Sequence, residues 1–156
     1  MNRNAGVGGY AAGEDLSSLI TDIPAAPLSE AERAGLLFMY EEEKLAHDVY
    51  AALYEVWNLP IFQSISRSEA QHMDSIKVLL DRYDLAEPTQ STEAGAFLDP
   101  TLQDLYVDLV VQGSASLVDG LRVGATIEDL DIADLQRHVE ESDNDDIRVV
   151  YQNLMK

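Results

Sequence analysis

The sequence feature that most constrains the fold is a helical spacing of apolar residues between positions 36 and 57. Positions that alternate in steps of three and four lie on one face of an α-helix, and here Glu43 is the only charged residue on that face. The segment follows a capping box, in which Ser29 and Glu32 satisfy free backbone N–H groups reciprocally. Because Pro60 cannot continue a helix, the pattern predicts one long amphipathic helix between the box and the proline.

A second segment, residues 61–83, has the same spacing, and its apolar face is interrupted only by Glu69 and His72. Further helices are predicted at residues 101–112 and 117–140, with a kink or break at the Gly-Ser-Ala-Ser stretch between them. The predicted core face of the later helix carries Leu117, Leu121, Gly124, Glu128, Asp131 and Leu135.

A short fourth helix is predicted after the polar turn 142–146, with Asp143 as its cap. The connection formed by residues 84–100 is too long for a tight hairpin and suggests a crossover along the bundle. The sequence therefore predicts an all-α four-helix bundle with a long crossover connection.

The N-terminal residues 1–28 differ from the rest of the chain, because they contain glycine-rich stretches and two prolines. They predict an irregular, flexible arm with a single helical turn near residues 15–20, and residues 29–156 are left to form the bundle, with its fourth helix truncated. No apolar stretch is long enough to cross a membrane, so we expect no membrane insertion. The N-terminus lacks a signal-peptide pattern, and the compartment stays open between cytoplasmic and exported with the leader removed.

The charge balance is strongly acidic, with 29 acidic residues, 10 basic residues and a net charge of −19. Phosphate backbones are repelled by such a chain, which argues against nucleic acid as a partner, whereas metal cations are attracted. The chain has no cysteine, so disulfides, thiolate metal sites and cysteine nucleophiles are excluded.

The residues that point to chemistry are the polar side chains on the apolar faces. A buried carboxylate is unfavourable unless it is paired, protonated or bound to a cation. Glu43, Glu69, His72 and Glu128 therefore predict a metal site inside the bundle, because Glu-x-x-His on one helix offers a carboxylate and an imidazole to the same metal. A hydrogen-bonded cluster without metal is the alternative. Asp131 could be a further metal ligand or a hydrogen-bonding partner of a ligand, and the sequence leaves both alternatives open.

Other polar residues near this site are predicted to be ordinary. Glu41 and Glu42 lie off the apolar face of the first helix, so we expect both to be solvated. His47 lies beside the same face, so we expect it to be a surface residue or a hydrogen-bonding partner of the site.

Three motifs resemble a known family. The stretches Glu41–Tyr50, Ile65–Met73 and Val123–Ile132 resemble the signature of a bacterial and archaeal ferritin-like domain family of unknown function, over about residues 28–156. More distantly, Glu43 with Tyr50 seven residues later is similar to a pattern in rubrerythrin and bacterioferritin. In the ferritin-like domain family of unknown function, the fourth helix continues into a Gly-Ser-x-Asn-His stretch. The present sequence ends just before that stretch.

The resemblance implies a ferritin-like bundle with a carboxylate-bridged site for two iron ions, with manganese or zinc as alternatives. The leading hypothesis is a ferritin-like metal-binding protein, with a di-iron oxidase or peroxidase activity left open. The alternative is a non-enzymatic structural or assembly subunit that uses the bundle groove and the N-terminal arm for contacts between chains. We expect a homo-oligomer.

Overall fold

The computed structural model describes residues 14–88 and 93–156, which form helices joined by loops and contain no strand. These residues form six helices, which are α1 (Glu14–Thr21), α2 (Glu30–Trp57), α3 (Pro60–Arg82), α4 (Pro100–Gly113), α5 (Leu117–Glu141) and α6 (Asp145–Leu154). The predicted all-α class is thus confirmed for the described part of the chain.

The first long helix begins and ends where the sequence predicts. The Glu32 N–H donates to Ser29 Oγ at 3.1 Å, and the Ser29 N–H donates to Glu32 Oε2 at 2.8 Å, which completes the capping box. At the other end, Asn58 adopts a left-handed conformation with φ of 49° and its N–H donates to the Tyr54 carbonyl. Helix α3 then starts at Pro60, where a missing N–H is tolerated.

Helices α4 and α5 are separate elements joined through Ser114–Ser116. Helix α4 packs against both α2 and α5, and the Trp57 indole donates to the Gly113 carbonyl at 2.9 Å. The predicted core face of α5 is wrong at its start, because Leu117 and Leu121 are exposed. The buried positions there are Gly120, Val123, Ile127 and the predicted Gly124, since the first turns of α5 face α4 and α2.

The turn before α6 also differs from the prediction. The N-cap is Asn144 rather than Asp143, and its side chain makes no capping bond. Instead, its amide donates to Glu32 Oε1 at 3.1 Å and its Oδ1 accepts from the Ala26 N–H at 3.2 Å. The asparagine therefore joins the start of α6 to the start of α2.

The described part of the N-terminal arm lies on the bundle. Helix α1 is longer than the single predicted turn and packs against α6, and Ile20 is buried in the core. The Arg82 guanidinium donates to the carbonyls of Ile20 and Ile23. The arm's predicted glycine-rich stretch, residues 1–13, lies outside the described residues.

Two apolar cores lie along α2. The first core packs against the first half of α2 and includes Leu36, Met39, Ile76, Leu79, Leu135, Ile147 and Val150. The second core packs against the second half and includes Val49, Leu53, Phe62, Leu102, Leu109, Val123 and Ile127. Between these levels, α2, α3 and α5 carry the polar residues of the predicted metal site. Among the described helices, none combines the length and the apolar character that crossing a membrane requires.

Candidate metal centre

Three of the four predicted site residues lie together between the two cores. Glu43 comes from the middle of α2, and Glu69 and His72 come from one face of α3. His72 Nδ1 lies 3.2 Å from Glu43 Oε2 and 3.0 Å from Glu69 Oε2. Ligand atoms of the three side chains all lie within 4.8 Å of one another.

The three side chains are largely shielded from water. Glu43 is fully buried, Glu69 is buried and His72 is partly buried. Burial raises the pKa of Glu43 well above its usual range, although the hydrogen bond with His72 opposes that effect. Burial lowers the pKa of His72, but its hydrogen bonds to Glu43 and Glu69 outweigh this and raise the pKa to about 10. Without a metal, the imidazolium is therefore the cation that this centre holds at neutral pH.

One imidazolium can balance the charge of only one of the two carboxylates that face it. Glu43 Oε1 is buried and has no hydrogen-bond donor among the described residues, and such an oxygen is unfavourable unless it is protonated or binds a cation. Metal–ligand bonds of about 2.0–2.2 Å place neighbouring ligand atoms roughly 3 Å apart, and the two distances to His72 Nδ1 match that separation. Two carboxylates and one imidazole are also a donor set that suits iron, manganese or zinc.

Asp131 extends the centre toward α5. Its side chain is buried beside Glu43, and its Oδ1 has no donor among the described residues. Burial, together with the nearby charges of Glu69 and Glu128, raises the pKa of Asp131 to about 7. Its position three residues after Glu128 on the same helix already indicated that it could join the site.

Glu128, the fourth predicted ligand, stands apart from the three-residue group. Its Oε1 accepts a 2.7 Å hydrogen bond from the Tyr50 hydroxyl, and its side chain is only partly buried. Burial raises the pKa of Glu128, and the bond from Tyr50 acts in the opposite direction. Tyr50 thus holds Glu128 at the edge of the centre.

The expectation that Glu41 and Glu42 are solvated is wrong. Residues 41–46 are all buried, because α3 and α5 cover one side of α2 and residues 93–99 of the connection cover the other. Burial, together with the neighbouring Asp134, raises the pKa of Glu42 to about 9. Helical periodicity gave no signal for this residue, since it lies off the apolar face.

The remaining charged residues of the motif Glu41–Tyr50 hold the crossover. Glu41 accepts from the backbone N–H groups of Leu98 and Asp99 at 2.6 and 3.1 Å. Asp48 accepts from the Gly95 N–H at 2.9 Å and from Lys44 Nζ at 2.6 Å. His47 Nδ1 also lies 2.9 Å from Asp48, on the side of the connection. One decapeptide therefore builds the centre on one side and anchors the connection on the other.

Comparisons with known proteins place the chain in a family. The model of the family described as uncharacterized protein domain DUF2202 matches residues 32–156. The chain is similar to the uncharacterized protein MJ0754 of Methanocaldococcus jannaschii, with 51% identity over 137 residues that cover 88% of this chain and 74% of that protein. Its fold is similar to the crystal structure of the hypothetical protein MJ0754 from Methanococcus jannaschii, with a TM-score of 0.84 at 50% identity, covering 86% of this chain and 77% of that one. Since the family model spans most of its length, the protein belongs to the DUF2202 family.

Proposed function

We propose that this protein is a ferritin-like metal-binding protein whose first metal ion is held by Glu43, Glu69 and His72. The observation that carries the proposal is the convergence of these ligand atoms within 4.8 Å in a buried layer. Iron is the preferred ion, with manganese and zinc as alternatives, because two carboxylates and one imidazole suit all three.

A site for two ions would draw on the carboxylates next to the three-residue group. Asp131 offers a buried oxygen without a donor among the described residues, and Glu128 offers the oxygen that Tyr50 does not contact in its 2.7 Å bond. Bound iron would supply one-electron redox chemistry toward oxygen or peroxide. A carboxylate-bridged di-iron oxidase or peroxidase is therefore the activity that we propose to test first.

The chain's own residues prepare this centre in two ways. The apolar cores above and below the layer exclude water and strengthen electrostatic attraction to a cation. Glu43 and Glu69 both face His72 Nδ1, so deprotonation of that nitrogen opens a place between two carboxylates. Metal binding should therefore release a proton from His72.

The test is metal analysis of the whole chain purified without chelators, followed by titration of the metal-free protein with Fe²⁺ under argon. We expect Glu69→Gln to weaken binding of the first ion by more than about tenfold. Glu55→Gln, an exposed change on α2, is the matched control and should bind like the native chain. Native protein that binds no iron, manganese or zinc contradicts the proposal. An absorbance change on admitting oxygen to the iron-loaded protein tests the oxidase activity separately.

The alternative, an assembly subunit, has weaker support. It relies on the N-terminal arm for contacts between chains, but arm residues such as Ile20 and Ala26 already contact the bundle of the same chain. Sedimentation equilibrium over a range of concentrations tests whether a homo-oligomer forms.

A further inference from the structure

A row of acidic side chains leads from the surface of α5 to the buried centre. The Asp134 side chain is 25% exposed, whereas relative exposure is 9% for Asp131, 7% for Glu42 and 0% for Glu43. Glu42 lies beside Asp134 and within electrostatic reach of Asp131 and Glu43, and Asp131 lies beside Glu43. The row therefore forms a continuous series of carboxyl groups through the interface of α2 and α5.

Glu42 and Asp131, two members of this row, contact neighbouring carboxyl groups, but each has one oxygen atom without a hydrogen-bond donor among the described residues. These atoms are Glu42 Oε2 and Asp131 Oδ1, and both are buried. A structural salt-bridge network would provide such oxygens with partners, and burying them unpaired is unfavourable. Oxygens of this kind suit a hard or borderline divalent cation that passes between them.

A basic residue stands at the outer end of the row. Arg137 Nη2 contacts Asp134 at 2.5 Å, and its Nη1 lies 3.7 Å from Glu141. The guanidinium also lies within electrostatic reach of Glu42. Because Arg137 is half-exposed, it can move away from Asp134 when a metal ion arrives.

We propose that Asp134, Glu42 and Asp131 form the access route by which a divalent cation reaches Glu43, Glu69 and His72, with Arg137 competing for its outer end. This inference rests on the proposed metal site. Asp134 would bind the ion first, Glu42 would bind it next at the interface of α2 and α5, and Asp131 would bind it last before it reaches Glu43. A route changes the rates of loading and release together and leaves the equilibrium affinity unchanged.

The experiment uses Co²⁺ as the probe, with the whole chain and stopped-flow absorbance. We expect Asp134→Asn to slow both loading and chelator-driven release by about threefold or more. Arg137→Gln should speed both, because the outer carboxylate loses its competitor. Equilibrium titration should give both variants the affinity of the native chain, and thermal unfolding checks that both are folded.

The chain offers a matched control pair on the same helix. Asp119 and Arg122 also form an exposed ion pair three residues apart, at 3.3 Å, and they lie near the other end of α5. Asp119→Asn and Arg122→Gln change the net charge equally but should leave the rates at the native values. Equal effects from both pairs would assign the result to overall charge and overturn the route.

The outcomes separate the route from the site. The first outcome is that the native chain binds Co²⁺, that Glu69→Gln binds it more weakly, and that the loading rate is the same in the variants at positions 134 and 137. That outcome overturns only the route. A change in equilibrium affinity in Asp134→Asn, with release unaffected, also overturns it. If the native chain binds no Co²⁺, both the site and the route fall.

Discussion

The Tyr50 hydroxyl donates a 2.7 Å hydrogen bond to Glu128 Oε1 and also lies 3.1 Å from the Gly124 carbonyl. A residue on α2 thereby fixes a carboxylate on α5 beside the buried centre. The contact accounts for the place of Glu128 outside the three-residue group, since its side chain is directed toward the tyrosine. Such a bond orients a carboxylate before any metal binds.

Tyr50→Phe should lower the free energy of unfolding by about 1–3 kcal/mol, because a partly buried carboxylate and a carbonyl lose the hydroxyl that donates to them. Urea denaturation of the metal-free protein measures the change. Tyr54→Phe is the control, because Tyr54 lies one turn further along α2 and packs against the second core without a hydrogen bond from its hydroxyl to any described residue. Equal losses in both variants would contradict the role given to Tyr50.

The anchoring of the crossover by Asp48 gives a second prediction. Asp48→Ala removes the carboxylate partner of the buried Lys44 ammonium, which keeps only the Glu93 carbonyl as a hydrogen-bond acceptor among the described residues, and it removes the acceptor of the Gly95 N–H. We expect the free energy of unfolding to fall by about 3–5 kcal/mol, as for other broken buried ion pairs. Hydrogen exchange should show faster exchange of the Gly95 amide.

Asp108→Ala, an exposed change on α4, is the control for Asp48. It should alter the free energy of unfolding by less than about 0.5 kcal/mol. If Asp48→Ala is as mild as this control, the ion pair does not anchor the crossover.

The sequence predicts the parts of this molecule that depend on periodicity. Residues such as Leu36, Met39, Ile76 and Leu79 lie on regular apolar faces, and all four are buried as expected. Glu43 was identified for the same reason, since a lone carboxylate on an apolar face needs a partner. Capping residues and prolines fixed the ends of α2 and α3 to within a residue or two.

The parts that periodicity misses depend on contacts between distant segments. Glu42 lies off the apolar face of α2, yet α5 covers it, and no local pattern predicts a second buried side of a helix. Asn144 is also not predicted by a local pattern, because its side-chain amide makes hydrogen bonds with Glu32 and Ala26, which are far away in the sequence. The core face of α5 shifts along its length because its neighbours change from α4 to α6.

The raised pKa values predict how pH affects the stability of the metal-free protein. Glu42 and Asp131 have folded-state pKa values of about 9 and about 7, and His72 has one of about 10. In the unfolded chain these groups titrate near about 4 and 6.5. The folded protein therefore binds more protons between pH 6 and 9, so the free energy of unfolding should fall as pH rises through this range.

The sign of this pH dependence also depends on the groups with lowered pKa values and on bound metal. Asp48 and Glu32 have lowered pKa values, but their stabilisation is complete above about pH 5. Burial also lowers the pKa of His138, which opposes the decline only below about pH 7, because above that pH this imidazole is neutral in both states. Saturating metal should remove the decline, because metal binding requires deprotonated ligands and grows stronger as pH rises. Urea denaturation at pH 6, 7.5 and 9, with and without metal, measures both effects. A rise in stability of the metal-free protein over this range would contradict the assignment.

The close approach of α2 and α5 near the first core gives the last prediction. A Cβ on Gly35 would lie 2.7 Å from His138 Nδ1, and the imidazole is held in place by the rings of Phe38 and Tyr151, each with its centroid 6.1 Å away. Gly35→Ala should therefore lower the free energy of unfolding by about 1–3 kcal/mol through overpacking. In a His138→Ala background the clash is absent, and the same substitution should instead stabilise the protein by about 0.5–1 kcal/mol, because alanine favours a helix over glycine. Urea denaturation of the four proteins measures the coupling between the two positions. The same sign of change in both backgrounds would show that His138 does not require glycine at position 35.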